Sequence, residues 1–190
     1  MPRVYNWVRI LCLGDSLTFG SRDHTGLCWP FYLAHQALRE NIVLFPEVEA
    51  FPGITSCGLL RKADPIIQSS EAKEGFLLIG TNDAKEEHAT PGPLYLANVH
   101  LLVAWLRVRG IREYVLTLPE TCGFGDPMTT KRALPSIRAY NEALREQGFP
   151  RLVECANVHS SVDGVHLTVE SATEIAERVW TAVKKERELI

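Results

Sequence analysis

The sequence lacks several features that would assign a protein to a class at once. No stretch approaches the roughly 18 consecutive apolar residues of a membrane-spanning helix, so no integral membrane segment is expected. The apolar run near the N-terminus has no A-x-A-like cleavage site after it, which argues against a signal peptide. Internal repeats, low-complexity tracts and linkers are also missing. The 190 residues are therefore expected to form a single domain, 1–190.

Cysteine is scarce, and its spacing forms no recognisable site. The five cysteines are scattered and contain no C-x-x-C pair. They are Cys12, Cys28, Cys57, Cys122 and Cys155. This pattern argues against a zinc site and a disulfide framework, and no metal or other cofactor is expected. A reducing cytoplasm is the expected compartment.

An excess of charge of either sign is also missing. The chain carries 20 basic and 23 acidic side chains, a formal net charge of −3. No basic stripe with interleaved aromatic residues is present, which argues against nucleic acid as a partner. Hydrophobic residues make up 46% of the chain and charged residues 23%, as is ordinary for a globular protein.

The sequence does contain five apolar runs of strand length, which alternate with helical patterns. The runs lie at residues 8–13, 42–51, 76–79, 114–118 and 152–156. Such alternation predicts a parallel sheet covered on both faces, and right-handed crossovers favour a three-layer α/β/α, flavodoxin-like arrangement. Pro46 interrupts the second run, which indicates an edge or irregular position for that strand.

Proline also sets two of the predicted helix boundaries. The second full helix is expected at residues 56–63, ending before Pro65, and a later one at residues 135–147, starting at Pro135. Between strands three and four, a helix ending at Gly110 is expected to bury one face. The residues of that face are Leu94, Leu101, Leu102 and Trp105.

Chemistry-bearing residues follow the ends of several predicted strands. They are Asp15 and Ser16 after strand one, Gly53 after strand two, Thr81, Asn82 and Asp83 after strand three, and Asp163 and His166 after strand five. In a parallel sheet these ends meet at one edge, where ligands bind. A serine, a histidine, a carboxylate and hydrogen-bond donors are the groups that acyl transfer to a hydroxyl nucleophile needs.

Other interpretations of the same residues remain open. Gly-Asp-Ser taken alone is a common turn. A flavin phosphate in the first loop would be repelled by Asp15, and a metal-dependent hydrolase would need four side chains to converge on one ion. A non-catalytic carbohydrate- or protein-binding module on the same fold is the main alternative, because a fold does not determine function.

The four segments resemble the sequence blocks of the SGNH (GDSL-type) esterase and lipase family. The segments are Gly14-Asp15-Ser16-Leu17, Gly53, Gly80-Thr81-Asn82-Asp83 and Asp163-Gly164-Val165-His166. They occur in the family's order from Gly14 to His166, so the resemblance covers nearly the whole chain. It implies the SGNH hydrolase fold and a serine hydrolase that cleaves carboxylic esters through an acyl-enzyme intermediate.

The resemblance also implies a role for each residue. Ser16 is the expected nucleophile, His166 the base and Asp163 the carboxylate that orients it. The expected oxyanion hole consists of the backbone N–H groups of Ser16 and Gly53 and the side chain of Asn82. Asp15 and Asp83 are expected to give structural support by tying loops together, and His159 is the rival base by position.

The expected substrate is a small-molecule ester, short-chain or small and soluble, because no large lid-like insertion is present. The loops at residues 85–93 and 120–130 are expected to shape the pocket. The sequence predicts neither the acyl chain and alcohol nor the oligomeric state.

Overall fold

The computed structural model describes residues 6–120, 127–159 and 161–188. Its strands are β1 (Asn6–Gly14), β2 (Ile42–Ala50), β3 (Glu74–Leu78), β4 (Arg112–Leu116) and β5 (Leu152–Val153). Its helices are α1 (Ser16–Phe19), α2 (Trp29–Arg39), α3 (Ser56–Ser69), α4 (Gly92–Val108), α5 (Pro127–Glu146) and α6 (Val169–Glu188). None of these described helices is both long and apolar enough to cross a membrane.

The five strands form one parallel sheet in the order β2-β1-β3-β4-β5. Helices cover both of its faces, so the predicted three-layer α/β/α arrangement is confirmed. In this register Gly14 lies opposite Ala50 of β2 and Leu78 of β3. The carboxyl ends of three strands therefore meet at one edge, as the sequence pattern requires.

The core lies on both faces of the central strands, as expected for a parallel sheet. Every residue of β3 is buried, and residues 10–13 of β1 have no exposed surface. Aromatic rings connect the sheet with a helix. The ring of Phe76 stacks on that of Tyr114 with 4.9 Å between the ring centroids, and it meets the ring of Trp29 edge-on with 6.1 Å between the centroids. The packing fixes the positions of the strand ends.

β2 is an edge strand, so that part of the prediction from Pro46 is confirmed. Proline has no N–H to donate and is therefore tolerated at an edge. The strand is nevertheless continuous, with Pro46 in register with Ile10 of β1. β5, by contrast, contains only two residues rather than the five expected. Thr117 explains this, because its hydroxyl accepts the N–H groups of Cys155 and Ala156 at 2.7 and 3.0 Å and ends the ladder.

The prediction that α3 ends before Pro65 is wrong. The helix continues to Ser69 and contains Pro65 on an exposed face. Ala63 and Ile67 are four residues apart and fully buried, so the core holds the helix on both sides of the proline. This burial offsets the loss of one helical hydrogen bond.

The predicted start of α5 is wrong for a similar reason. The helix begins at Pro127 and contains Pro135, which is exposed. Ala133 and Ile137 continue one buried face across the proline. Of the loop expected at residues 120–130, residues 121–126 lie outside the described residues and residues 127–130 belong to α5.

The predicted buried face of α4 is also partly wrong. Leu102 is buried, but Leu94 and Leu101 are about half exposed. The helix is apolar nearly all round, so spacing alone did not identify the buried side. The face that packs on the core contains Tyr95, Asn98, Val99, Leu102, Val103 and Leu106.

Candidate active site

Ser16 lies two residues after the end of β1, as the first residue of α1. Asp15 caps this helix, and its Oδ1 accepts the backbone N–H of Leu17 at 3.0 Å. A Cβ on Gly14 would lie 2.5 Å from the carbonyl oxygen of Leu78, so only glycine fits where β1 meets β3. The close approach of the strands therefore fixes the turn that presents Ser16. Only 6% of Ser16 is exposed.

The segment after β2 joins the same edge of the sheet. The N–H of Phe51 donates to the carbonyl of Gly14 at 3.1 Å. Gly53 has a φ of +80°, a conformation that favours glycine, and an added Cβ would meet no atom within 4 Å. Glycine at this position serves the backbone conformation and leaves open space beside the chain.

Asn82 lies in the segment after β3 and contacts the segment after β2. Its Nδ2 donates to the carbonyl of Ile54, one residue beyond Gly53, at 3.0 Å. The side chain is almost fully buried, so this bond fixes the orientation of the amide. An amide nitrogen carries two hydrogens, which leaves a second N–H for another acceptor. The structure therefore brings Gly53 and Asn82 together.

Asp83 joins three elements through a buried hydrogen-bond network. Its carboxylate accepts the backbone N–H of Ser56 at 2.8 Å and the Ser56 hydroxyl at 2.6 Å. Asn98 of α4 in turn donates to Ser56 Oγ at 2.9 Å. These bonds support the role of Asp83 as a loop anchor. Sequence reasoning missed Ser56, because a serine in the first turn of a helix resembles an ordinary capping residue.

Asp163 and His166 form a direct contact within the loop before α6. Imidazole Nδ1 lies 2.7 Å from Asp163 Oδ2. The other carboxylate oxygen accepts the backbone N–H groups of His166 at 2.8 Å and Val165 at 3.1 Å. Three donors thus hold the carboxylate, and a proton on Nδ1 leaves Nε2 free to accept one.

The Asp163–His166 loop is a tight turn closed by its own backbone. Ser161 and Leu167 form an antiparallel bridge, and the N–H of Val162 donates to the carbonyl of His166 at 2.9 Å. Gly164 has a φ of +89°, so a glycine is favoured between the aspartate and the histidine. The spacing of three residues therefore produces the contact through a closed loop.

The environment of Asp163 keeps its carboxylate ionised. Burial acts to raise its pKa, but the hydrogen bonds from His166 and Val165 outweigh this and hold the pKa below the ordinary value of 3.8. The carboxylate also has a cationic neighbour, since Arg22 Nε lies 2.7 Å from Oδ2. Sequence reasoning missed Arg22, because an ion pair between residues far apart in the chain leaves no periodic signal.

Asp15 lies in the opposite environment. Its side chain has no exposed surface, and Oδ2 has no hydrogen-bond partner among the residues that the structure describes. Burial raises its pKa to about 7, and the nearby Asp83 adds to the rise, whereas the N–H of Leu17 acts against it. Its contacts are those of a helix cap beside Ser16.

The predicted nucleophile and base lie on the same side of the molecule. Ser16 lines a small cavity together with Leu167, the neighbour of His166 in sequence. Among residues 6–120, 127–159 and 161–188, no hydrogen bond joins Ser16 Oγ to His166 Nε2. Catalytic hydrogen bonds are often long before substrate binds and shorten in the complex.

Two alternative sites have less support in the geometry. Imidazole Nδ1 of His159, the rival base, lies 3.0 Å from the carbonyl oxygen of Glu120 rather than a carboxylate. In the part of the chain that the structure describes, no three His, Cys, Asp or Glu side chains converge as a metal site requires.

Comparison with solved structures shows relatives of the same fold. A native aryl esterase of M. smegmatis is 17% identical, with a TM-score of 0.77 over 94% of this chain and 99% of that one. A carbohydrate acetylesterase family member from Sinorhizobium meliloti is 18% identical, with a TM-score of 0.73 over 94% and 98%. The esterase EstA from Pseudoalteromonas sp., solved in a form inhibited by monoethylphosphonate, is 20% identical, with a TM-score of 0.65 over 95% and 98%.

Sequence comparison gives the family. No curated protein matches the chain significantly. The model of the GDSL-like lipase/acylhydrolase family, however, matches residues 12–172, a range that contains every predicted site residue. The chain belongs to the GDSL-like lipase/acylhydrolase family.

Proposed function

We propose that the protein is a serine hydrolase that cleaves carboxylic esters through an acyl-enzyme intermediate. The observation that carries the proposal is the 2.7 Å contact between Asp163 and His166, in a loop that shares a cavity with Ser16. A carboxylate on Nδ1 makes the imidazole a base at Nε2, which can take the proton of a nearby hydroxyl.

In the first half of the reaction, Ser16 Oγ attacks the carbonyl carbon of the ester while His166 Nε2 takes the hydroxyl proton. The carbonyl oxygen becomes an oxyanion and accepts hydrogen bonds from the N–H groups of Ser16, Gly53 and Asn82. The bond to Ile54 orients the Asn82 amide before substrate arrives, which avoids reorganisation during the reaction. The intermediate then collapses, and the alcohol leaves with the proton from His166.

In the second half, water replaces the alcohol. His166 takes a proton from the water molecule, the hydroxide attacks the acyl carbon, and the same donors hold the oxyanion. Collapse releases the carboxylic acid and returns the proton to Ser16 Oγ. Asp163 stays ionised throughout and stabilises the imidazolium, a role that its lowered pKa supports.

The substrate that we propose is a short-chain or small soluble ester. The names of the structural relatives support this class, since one is an aryl esterase and another a carbohydrate acetylesterase family member. The four cysteines that the structure describes, Cys12, Cys28, Cys57 and Cys155, are all free thiols. Free thiols suit the reducing cytoplasm that we propose as the compartment.

Hydrolysis of p-nitrophenyl esters of increasing acyl length tests the activity and the substrate class together. We expect release of p-nitrophenol that is fastest for the shortest chains. Ser16→Ala should lower kcat by at least about 10³-fold, because it removes the nucleophile. Ser21→Ala is the matched control, since Ser21 lines the same cavity and has no role in the proposed reaction.

A second pair of variants tests the assignment of the base. His166→Gln should lower kcat by about 10³-fold or more, whereas His159→Gln should retain activity. Loss of activity in His159→Gln alone would reverse the assignment. A folded wild-type protein that cleaves no ester in the panel would contradict the proposal and favour a carbohydrate- or protein-binding module.

A further inference from the structure

Arg22 contacts the carboxylate that we propose orients the base. Its Nε lies 2.7 Å from Asp163 Oδ2, the same oxygen that lies 2.7 Å from His166 Nδ1. The two nitrogens are therefore no more than about twice 2.7 Å apart. A permanent cation thus lies beside a group that must gain and lose a proton during the reaction.

The backbone at Arg22 is held in a conformation that arginine rarely adopts. Its φ is +67°, in the left-handed region, where a side chain with a Cβ is disfavoured. Such outliers persist only where the surrounding structure enforces them, and they cluster at functional sites. A glycine or asparagine would suit this turn better, so the geometry points to a use for the guanidinium.

The surrounding loop holds Arg22 in place. The N–H of Ser21 donates to the carbonyl of Ser16 at 3.0 Å, and the N–H of Asp23 donates to the carbonyl of Gly20 at 3.1 Å. Asp23 also accepts the N–H of Thr25 at 2.8 Å. The loop that follows the predicted nucleophile thus carries a cation to the loop of the predicted base.

We infer that Arg22 is a positioning residue that braces Asp163 and is coupled electrostatically to the protonation of His166 through the shared contact at Asp163 Oδ2. The catalytic consequence rests on the proposed function, but the electrostatic coupling does not. A cation whose Nε lies no more than about twice 2.7 Å from imidazole Nδ1 disfavours protonation of that ring, compared with a variant that lacks the cation.

The next two charged residues of the Arg22 loop, Asp23 and His24, have other partners. The Asp23 carboxylate accepts hydrogen bonds from the N–H of Thr25 at 2.8 Å and from the Tyr32 hydroxyl at 3.2 Å. His24 interacts with Glu170 at the start of α6 and contributes to lowering the pKa of that carboxyl, after the larger effects of the Glu170 backbone and Thr168. Arg22 is the cation found in direct contact with Asp163.

NMR titration of the His166 ring tests the coupling without any substrate. Arg22→Asn keeps a residue that tolerates positive φ and removes the cation, whereas Arg22→Lys keeps a cation. Arg39→Gln is the control, because Arg39 is exposed at the far end of α2, near the opposite edge of the sheet. The His166 signal is identified by its loss in His166→Gln.

We expect the midpoint of the ring titration to rise by about half a pH unit in Arg22→Asn at low salt. The rise should shrink at 1 M salt, because the arginine side chain is 65% exposed and therefore screened. Arg22→Lys should restore part of the wild-type midpoint, and Arg39→Gln should not move it. The midpoint of the acid limb in the pH profile of kcat/KM should shift in the same order among these variants.

An unchanged midpoint in Arg22→Asn would overturn the inference even if the enzyme cleaves esters. A midpoint that moves in a protein that cleaves no ester would support the coupling and contradict the proposed function instead. A loss of activity in Arg22→Asn with no change in either titration would show a merely structural ion pair and would also overturn the inference.

Discussion

Two aspartates lie beside the candidate site, and their surroundings shift their pKa values in opposite directions. Asp15, next to Ser16, has no exposed surface; its Oδ1 accepts the backbone N–H of Leu17 at 3.0 Å, and its Oδ2 has no hydrogen-bond partner among the described residues. Asp163, three residues before His166, has 28% of its side chain exposed and contacts three N–H donors and one guanidinium. Burial raises the pKa of the first to about 7, whereas donors lower that of the second.

The difference shows that the pKa of a carboxylate depends more on the number of donors around it than on its closeness to the nucleophile in sequence. Asp15 adjoins Ser16 in sequence, yet it is buried, its Oδ2 has no hydrogen-bond partner among the described residues, and burial outweighs the effect of the Leu17 N–H on its pKa. Asp163 lies nearly 150 positions away in sequence, but its charge is stabilised and directed at an imidazole. Only the second aspartate has the environment that a triad carboxylate requires.

Among the variants that test the comparison of the two aspartates, removing the charge of Asp163 is expected to have the largest effect. Asp163→Asn should lower kcat by about 10⁴-fold, because an amide neither holds the correct tautomer nor stabilises the imidazolium. The measurement is steady-state hydrolysis of a short p-nitrophenyl ester, with the melting temperature as a check on folding.

Asp23→Asn is the matched control for this variant. Asp23 lies in the loop beside Arg22 and bonds Thr25 rather than a histidine. Its kcat should stay within about threefold of wild type, because Asp23 has no role in the proposed reaction and the side-chain oxygen of asparagine can keep the bond to the Thr25 N–H. Comparable losses in Asp163→Asn and Asp23→Asn would show that the fall in kcat does not depend on the contact between Asp163 and His166.

The second effect concerns the pH dependence of stability at Asp15. Its pKa is about 7 in the folded protein against an ordinary value of 3.8, so the folded state binds the proton more tightly than the unfolded state. The stabilisation of the folded state by this tighter proton binding is fully present below about pH 4 and is lost as the pH rises to about 7. The loss is on the order of 4 kcal/mol, since one pKa unit corresponds to about 1.4 kcal/mol.

Asp15→Asn should remove this loss, because asparagine can cap α1 without carrying a charge. Urea unfolding of both proteins from pH 4.5 to pH 8 measures the effect. The free energy of unfolding of the variant, relative to wild type, should increase steadily with pH until about pH 7. If the difference in the free energy of unfolding between the two proteins stays constant across this range, the pKa of Asp15 is not raised in the folded protein.

The smallest effect is expected at Thr81, which lies at the same buried edge as Asp15. Its Oγ1 has no hydrogen-bond partner among the described residues. Thr81→Val keeps the shape and removes that hydroxyl, so the free energy of unfolding should stay level or rise by up to about 1 kcal/mol. A decrease of 2 kcal/mol or more in urea unfolding would mean that the hydroxyl bonds a group near Asp15.

The fold and the site differ in how far the sequence determined them. The order of strands and helices predicted the parallel sheet, and the sheet places Ser16, Gly53 and Asn82 at one edge because parallel strands share a direction. The Asp163–His166 contact was also foreseeable, since it forms within one short loop.

The errors occurred where distant packing decides the local structure. Pro65 and Pro135 signal helix ends locally, but buried residues on either side carry both helices through. Arg22 and Ser56 were missed because their contacts join segments far apart in the chain. No spacing rule in the sequence connects such pairs.

The central claim is that Ser16 is the nucleophile, and labelling by an organophosphonate tests it most directly. A phosphonate traps a serine activated by a histidine, and the esterase EstA from Pseudoalteromonas sp. was solved in a form inhibited by monoethylphosphonate. We predict one adduct per chain by intact mass, located on the peptide that contains Ser16, lost in Ser16→Ala and retained in Ser21→Ala. No adduct on the folded wild-type protein, or an adduct that persists in Ser16→Ala, would contradict the account.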